Sequence, residues 1–354
     1  MTKGLLNQVE GVTVAIVTAR QNTDTTYDKW RELRSRVLGA EAGPDFHHVN
    51  GEFKALVAAC LGSEARSHVE YQLRALALQT VKPSRVLIVS RHPYPEIPFD
   101  DRRDRDAFQE VIPDELLSVN YGLNVRWVEP LYSTYELERA PFSAATHLTR
   151  QARSTAGSFG CSDKNTALVL CRTKHLVMLD DCCLPGFGLV EAALKACSQG
   201  KVLLLKHKAF YLPTAERTSV EMSDANTDLD VGHIVFGVFA APVQFLVDIN
   251  GWNTKLDGQR GGLDECLKLR MDRYVKMREL EYVLDPAATV YEVEHGYPWP
   301  KEELSPDWQA LVPEGYKAPG PNLHPIRDYV QAALAAEEAE DAKEEEDVIE
   351  YVDE

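Results

Sequence analysis

A long apolar run is what this chain most plainly lacks. Across 354 residues the most apolar stretch, Ile234 to Val247, is interrupted by Pro242 and Gln244. It falls short of the roughly 20 residues that cross a bilayer and reads as buried core, so no membrane partner is expected. The first residues, Met1 to Val9, carry no basic patch followed by an apolar segment and predict no secretory leader. Cysteine is sparse and unpatterned. The seven are Cys60, Cys161, Cys171, Cys182, Cys183, Cys197 and Cys266, an odd number without a Cys-x-x-Cys spacing. That speaks against a disulfide framework or a zinc knuckle and predicts a reducing, cytoplasmic setting. Positive charge is in deficit too: 38 Lys and Arg against 55 Asp and Glu give −17. Non-specific attraction to nucleic acid or an anionic membrane is therefore not the default. Much of the deficit is local. Glu337 to Glu354 hold eleven acidic residues and one lysine, a net −10, which leaves −7 for the rest and room for a basic groove.

What is present is ordinary for a globular protein, with 44% hydrophobic and 26% charged residues. Val12–Thr18 (VTVAIVT) is a β-branched run suited to a buried parallel strand, and Ser84–Ser90 (SRVLIVS) and Asn124–Glu129 (NVRWVE) are two more. Between them lie a helical stretch at Tyr27–Leu38 and a helical pattern from Glu52 to Gln79 with a break near Gly62. Val69, Leu73 and Leu76 share one face of its second half. Helices are predicted at Asn165–Cys171, Gly186–Ser198 and Leu263–Met277. Strands are predicted at His175–Leu179, Val202–Lys206, Ile234–Phe239 and Ala288–Glu294. This alternation predicts an α/β fold, a mostly parallel central sheet with helices on both faces. Past Pro298 the chain turns Pro-rich, and no internal repeat is visible.

The segment HLVMLDDCC carries the most chemical information. A strand that ends in two carboxylates sets Asp180 and Asp181 at the carboxyl edge of a parallel sheet, where such folds bind ligands. Adjacent carboxylates repel unless a cation or hydrogen-bond donors compensate. A divalent ion on a nucleotide's phosphates would do so through hard oxygen ligands. The plainer alternative is that the pair caps the following helix or turns the chain.

Four stretches together resemble an A-type (GT-A fold) nucleotide-sugar glycosyltransferase, most similar to family 2, with a galactosyltransferase-like motif near the C-terminus. They are VTVAIVTA in the place of the opening strand, and LRALALQTVKPSRVLIVS with its Gln79, Thr80 and Pro83. The others are DKNTALVLCRTKHLVMLDD, where Lys164-Asn165 precedes the acidic pair, and INGWNTKLDGQRGGLDECLKLRM with Gly251, Trp252, Gly258, Gly261, Gly262, Asp264 and Arg270. The resemblance implies a GT-A-like domain over residues 1–300, with a nucleotide-sugar half to about 182 and an acceptor half from 183. A C-terminal extension over 301–334 and a disordered acidic tail over 335–354 follow from composition.

The resemblance implies an enzyme, hexosyltransferase-like, that moves a sugar from a nucleoside-diphosphate sugar to an acceptor hydroxyl of a glycan, a protein or modified DNA. Mn²⁺ or Mg²⁺ would be held by Asp180, Asp181 and His295. Asp264 would be the base of an inverting displacement; its alternative is an N-cap of the helix it precedes. Thr18, Ala19, Arg20 and Ser90 at the ends of the first two strands, with Lys164 and Asp180, would contact the donor. Trp252 would be a platform for a sugar face, with a core role as the equal alternative.

Three positions depart from the family pattern: Ser90-Arg91 where an acidic residue grips the base, Cys182 in place of the second Asp of an Asp-x-Asp triplet, and Leu263 in place of Glu. They motivate a second reading, a non-catalytic sugar-nucleotide-binding module. A sugar-nucleotide pyrophosphorylase is a third, weakened by the absence of glycine from VTVAIVTARQNTD.

Overall fold

The computed structural model describes residues 8–18, 24–38, 51–60, 68–90, 122–128, 160–180, 183–213, 221–225, 238–253 and 263–293. The β-branched run near the N-terminus forms β1 (Val9–Thr18), with helices α1 (Asp24–Leu38), α2 (Gly51–Cys60) and α3 (His68–Ala77) after it. Then come β2 (Arg85–Ser90), β3 (Val125–Val128), α4 (Gly160–Val169), β4 (Thr173–Asp180), β5 (Cys183–Pro185) and α5 (Leu189–Cys197). The last described elements are β6 (Val202–Tyr211), β7 (Glu221–Ala225), β8 (Phe239–Pro242), α6 (Val243–Asp248), α7 (Leu263–Arg278) and β9 (Tyr282–Val293).

The nine described strands join one sheet in the order β3-β2-β1-β4-β8-β6-β9-β5, with β7 paired to β6. β1 pairs in parallel with β2 and β4, β2 with β3, and β6 with β9, whereas β8, β5 and β7 run against their neighbours. The mostly parallel α/β sheet expected from the sequence is the one observed. From β1 the chain builds outward through β2 to β3, then crosses to the other side of β1 and lays down β4. The strand order therefore reverses between β1 and β4, the place where open α/β sheets form a crevice beyond their carboxyl ends.

Three packed layers hold the sheet. On one face Ala15, Leu87, Leu176 and Met178 pack under α4, α6 and α7; on the other Val12, Val14, Ile16, Val177 and Leu179 pack under α3 and α5. A third cluster joins α1 and α2 to the far strands through Trp30, Leu33, Phe53, Phe210 and Tyr291, and the Phe53 and Phe210 rings stack at 4.4 Å. At about 1.5–3 kcal/mol for each large side chain removed from water, these layers are the main favourable contribution to folding. The stripe Val69, Leu73, Leu76 is buried as its spacing predicts, but Tyr71 and Ala75 are buried too, so α3 sits between two layers.

The register of β1 depends on one glycine. Gly11 has φ +128°, and a Cβ there would lie 2.1 Å from Ser84 Oγ, so no side chain fits at the irregularity between Val9 and Val12. Six cysteines are free and buried, and burial pushes the Cys60 and Cys197 thiols up to about 12, which makes them inert near neutral pH. Among the described residues no helix is long and apolar enough to cross a membrane.

Several predicted bounds move. The helix expected at Asn165–Cys171 spans Gly160–Val169, and Val202–Lys206 lengthens to Val202–Tyr211. Of the strand expected at Ile234–Phe239, residues 234–237 lie outside the described residues, and the described strand Phe239–Pro242 leads into α6. Strand β9 begins at Tyr282, six residues before the expected Ala288. Ala19, Arg20, Asp181, His295, the extension over 301–334 and the tail over 335–354 lie outside the described residues.

Candidate functional site

Three of the predicted residues meet at one edge of the sheet because of the register alone. Thr18 ends β1 and pairs with Ser90, the last residue of β2. Val17 pairs with Asp180, the last residue of β4. Thr18, Ser90 and Asp180 thus line the carboxyl rim beside the β1/β4 reversal. Asp180 is in the same row of β4 as Met178 and Leu176, whose side chains pack beneath α4 and α7, and those two helices bring the remaining polar groups.

From α4 comes Lys164, and from the first turn of α7 comes Asp264. The Lys164 ammonium donates to Asp264 Oδ1 at 2.9 Å, with the two side chains 15% and 27% exposed. Burial works to lower the Lys164 pKa. The charge and hydrogen bond of Asp264, helped by the charge of Asp180, outweigh it and leave the ammonium above its ordinary value. One buried-stem cation is therefore in the field of both carboxylates. Lys164 is neither an exposed lysine nor at a helix start. Asp264 is the second residue of α7, inside the helix rather than its cap, where the helix dipole favours its charge.

Asn165 ties α4 to the turn that follows α6. Its Nδ2 donates to the Trp252 carbonyl at 2.9 Å and its Oδ1 accepts from the Trp252 N–H at 2.8 Å, so one buried amide closes a two-bond ring with the backbone. Trp252 itself is fully buried, packed against Phe239 with ring centroids 6.1 Å apart. The structure thus corrects the sugar-platform expectation: the indole is core, and it is the Trp252 backbone that serves the site. The turn before it has Asn250 and Gly251 both at positive φ, 64° and 57°. The buried Arg270 guanidinium of α7 donates to the carbonyls of Ile249 and Gly251. Asn165 and Arg270, the Asn and Arg of the resemblance, act on backbone.

The Gln79-Thr80 pair has the same character. Gln79 donates to the Gly186 carbonyl at 2.6 Å and accepts from the Val190 N–H at 3.1 Å, satisfying one of the open donors at the start of α5. Thr80 donates to Glu191 at 2.9 Å. Gln72 went unnoticed in the sequence. From α3 its Nε2 donates to the carbonyls of Asp180 (2.6 Å) and Cys183 (2.8 Å), the two residues that flank Asp181-Cys182. Nothing in the local pattern distinguishes it from any other helical glutamine.

These elements define an α/β domain with polar residues at the carboxyl rim of the sheet. No family model matches the sequence, and no curated protein is similar to it. Solved structures are. Crystal structures of S. aureus TarS share 11% identity at a TM-score of 0.40, with 80% of this chain and 37% of TarS covered. For TarS 1–349 in complex with UDP-GlcNAc the identity is 10% and the TM-score 0.40, over 81% of this chain and 59% of that one. GalNAc-T7 with UDP, GalNAc and Mn²⁺ gives 10% identity and 0.41, over 81% and 44%. The chain spans less than two thirds of the length of each.

Proposed function

We propose that this protein transfers a sugar from a nucleoside-diphosphate sugar to an acceptor hydroxyl, by metal-assisted in-line displacement with inversion. The observation that carries the reading is the meeting of Asp180, Lys164 and Asp264 at the carboxyl rim beside the strand-order reversal. Asp264, in the first turn of α7, removes the proton of the attacking hydroxyl. Lys164 holds Asp264 in place and adds positive charge close to where the leaving diphosphate gains negative charge. Thr18, Ala19, Arg20 and Ser90 contact the donor.

Asp180 offers a hard oxygen ligand at the rim, the kind that Mn²⁺ and Mg²⁺ take, and it fits such an ion together with Asp181 and His295 from the sequence. When bound, the ion neutralises charge on the diphosphate. The domain assignment follows: a nucleotide-sugar half to about 182, an acceptor half to about 300, then the extension and the acidic tail. A second reading, a sugar-nucleotide-binding module without turnover, is favoured by the Lys164 bond to one oxygen of Asp264 and by Cys182.

Thermal-shift screening of a panel of sugar nucleotides with and without Mn²⁺ identifies the donor. Donor hydrolysis and transfer are then compared between wild type and Asp264→Asn. Loss of turnover by about 100-fold or more, with donor affinity retained, supports the base role. Undiminished turnover removes Asp264 from it, and metal-independent binding without turnover in the wild type selects the module.

A further inference from the structure

Away from the rim, a second group of ligating side chains converges inside the sheet. Cys183 of β5, His207 of β6 and Glu292 of β9 each bring one ligand atom to within 4.8 Å of the other two, and all three residues are buried. The strand pairing puts them there. Cys183 pairs with Glu292 and His207 with Val290, and Glu292 is two residues beyond Val290, so the three share one face. On that face they continue the rows Leu203-Leu205 and Ala288-Val290, which pack beneath α3 and α5. Asp180, by contrast, is in the row of Leu176 and Met178 that packs beneath α4 and α7. The cluster and the rim are thus served by different faces of the sheet, although Cys183 follows Asp180 by only three residues.

We propose that Cys183, His207 and Glu292 form a buried transition-metal site, for Zn²⁺ in first place. A thiol sulfur, an imidazole nitrogen and a carboxylate oxygen make a mixed donor set of the kind Zn²⁺ and Co²⁺ take, whereas Mg²⁺ and Mn²⁺ favour all-oxygen shells. Bonds of roughly 2.0–2.3 Å in a tetrahedron hold ligand atoms about 3.2–3.8 Å apart, so ligand atoms that lie within 4.8 Å of one another must shift by about 1 Å to share one ion. His207 Nε2 and Glu292 Oε2 lie 2.5 Å apart, in direct hydrogen-bond contact. Metal entry replaces that bond with two metal–ligand bonds, and its proton passes to the other imidazole nitrogen or to solvent. The Cys183 sulfur binds as thiolate, its proton leaving to solvent, and no electron is transferred. Three protein ligands leave a fourth position for a further group. A metal here ties β5, β6 and β9 together. The site does not depend on the glycosyl-transfer reading.

The test uses the full chain stripped with chelator and titrated with Co²⁺. The expected result is one equivalent bound with a sulfur-to-cobalt charge-transfer band, displaced by Zn²⁺. That band separates this site from the sulfur-free carboxylate and imidazole site proposed at the rim. Cys183→Ser abolishes it, whereas Cys197→Ser, a buried thiol outside the cluster, leaves it intact. Absence of the band from the wild type, or its persistence in Cys183→Ser, overturns the proposal. Should Cys183→Ser fail to fold, X-ray absorption of the Zn²⁺-loaded wild type decides. A shell of one sulfur with nitrogen and oxygen supports the site, and a shell without sulfur overturns it.

Discussion

Lys164 Nζ lies 2.9 Å from Asp264 Oδ1, joining residues exactly one hundred positions apart in the chain. The bond links the middle of α4 to the first turn of α7, and its consequences are testable by pH. The Lys164 pKa is raised in the folded state, so its contribution to stability is fully present below the unfolded value of about 10.4. That contribution is lost as pH rises through the higher folded value. Lys164→Met is therefore expected to melt below wild type at pH 8, with the gap closing as pH rises above about 10.4 and through the higher folded value. Thermal melts of both proteins across that range check it; a gap that is constant with pH contradicts the ion pair as its source.

Asn165→Ala removes both bonds to the Trp252 backbone and leaves a buried N–H and carbonyl without their partner. The expected cost is about 2–4 kcal/mol in urea denaturation. Asn165→Asp keeps the acceptor but not the donor and sets a charge at a buried position, so it recovers little of that loss. A variant with unchanged stability would show that the contact between α4 and the turn after α6 is held elsewhere.

Gln79→Ala is expected to cost about 1–3 kcal/mol, because Val190 at the start of α5 loses its acceptor and Gly186 its donor. Gln79→Glu keeps the acceptor and sets its other carboxylate oxygen against the Gly186 carbonyl, so it is no milder than Gln79→Ala. Amide exchange at Val190, measured by NMR or mass spectrometry, should speed up in both variants and localise the effect to the helix start.

Gly11→Ala meets Ser84 Oγ and must hold a positive φ, and a loss of about 1–3 kcal/mol is expected. Ser84→Ala in the same chain removes the closest atom and recovers part of the loss. The backbone strain remains, so full recovery would show that φ at residue 11 had relaxed.

How much of this was legible beforehand depends on the range of the interaction. The strands over Val12–Thr18 and Ser84–Ser90 were readable because β-branched runs between turn residues report burial locally. So was the apolar stripe of α3. β5 and β7 were missed, since three to five residues held by pairing with β9 and β6 carry little signal of their own. Asp180 at a strand end was visible in the sequence. The bond between Lys164 and Asp264 was not, because tertiary packing of two helices creates it. Asn165, Gln79 and Arg270 were singled out by resemblance, yet their work on backbone carbonyls and amides could be seen only once the partner chain segments were in view. Cys183, His207 and Glu292 are spread along the chain with no ligand spacing to betray them.

Gln72 has a wider consequence. Because one amide nitrogen grips the carbonyls of both Asp180 and Cys183, helix α3 is mechanically keyed to the acidic end of β4 from the far side of the sheet. A sliding of α3 along its axis would be transmitted to the carboxylate edge without any change in the residues there. Sequence changes in this helix, remote from any substrate, thereby become a means of retuning the site's geometry.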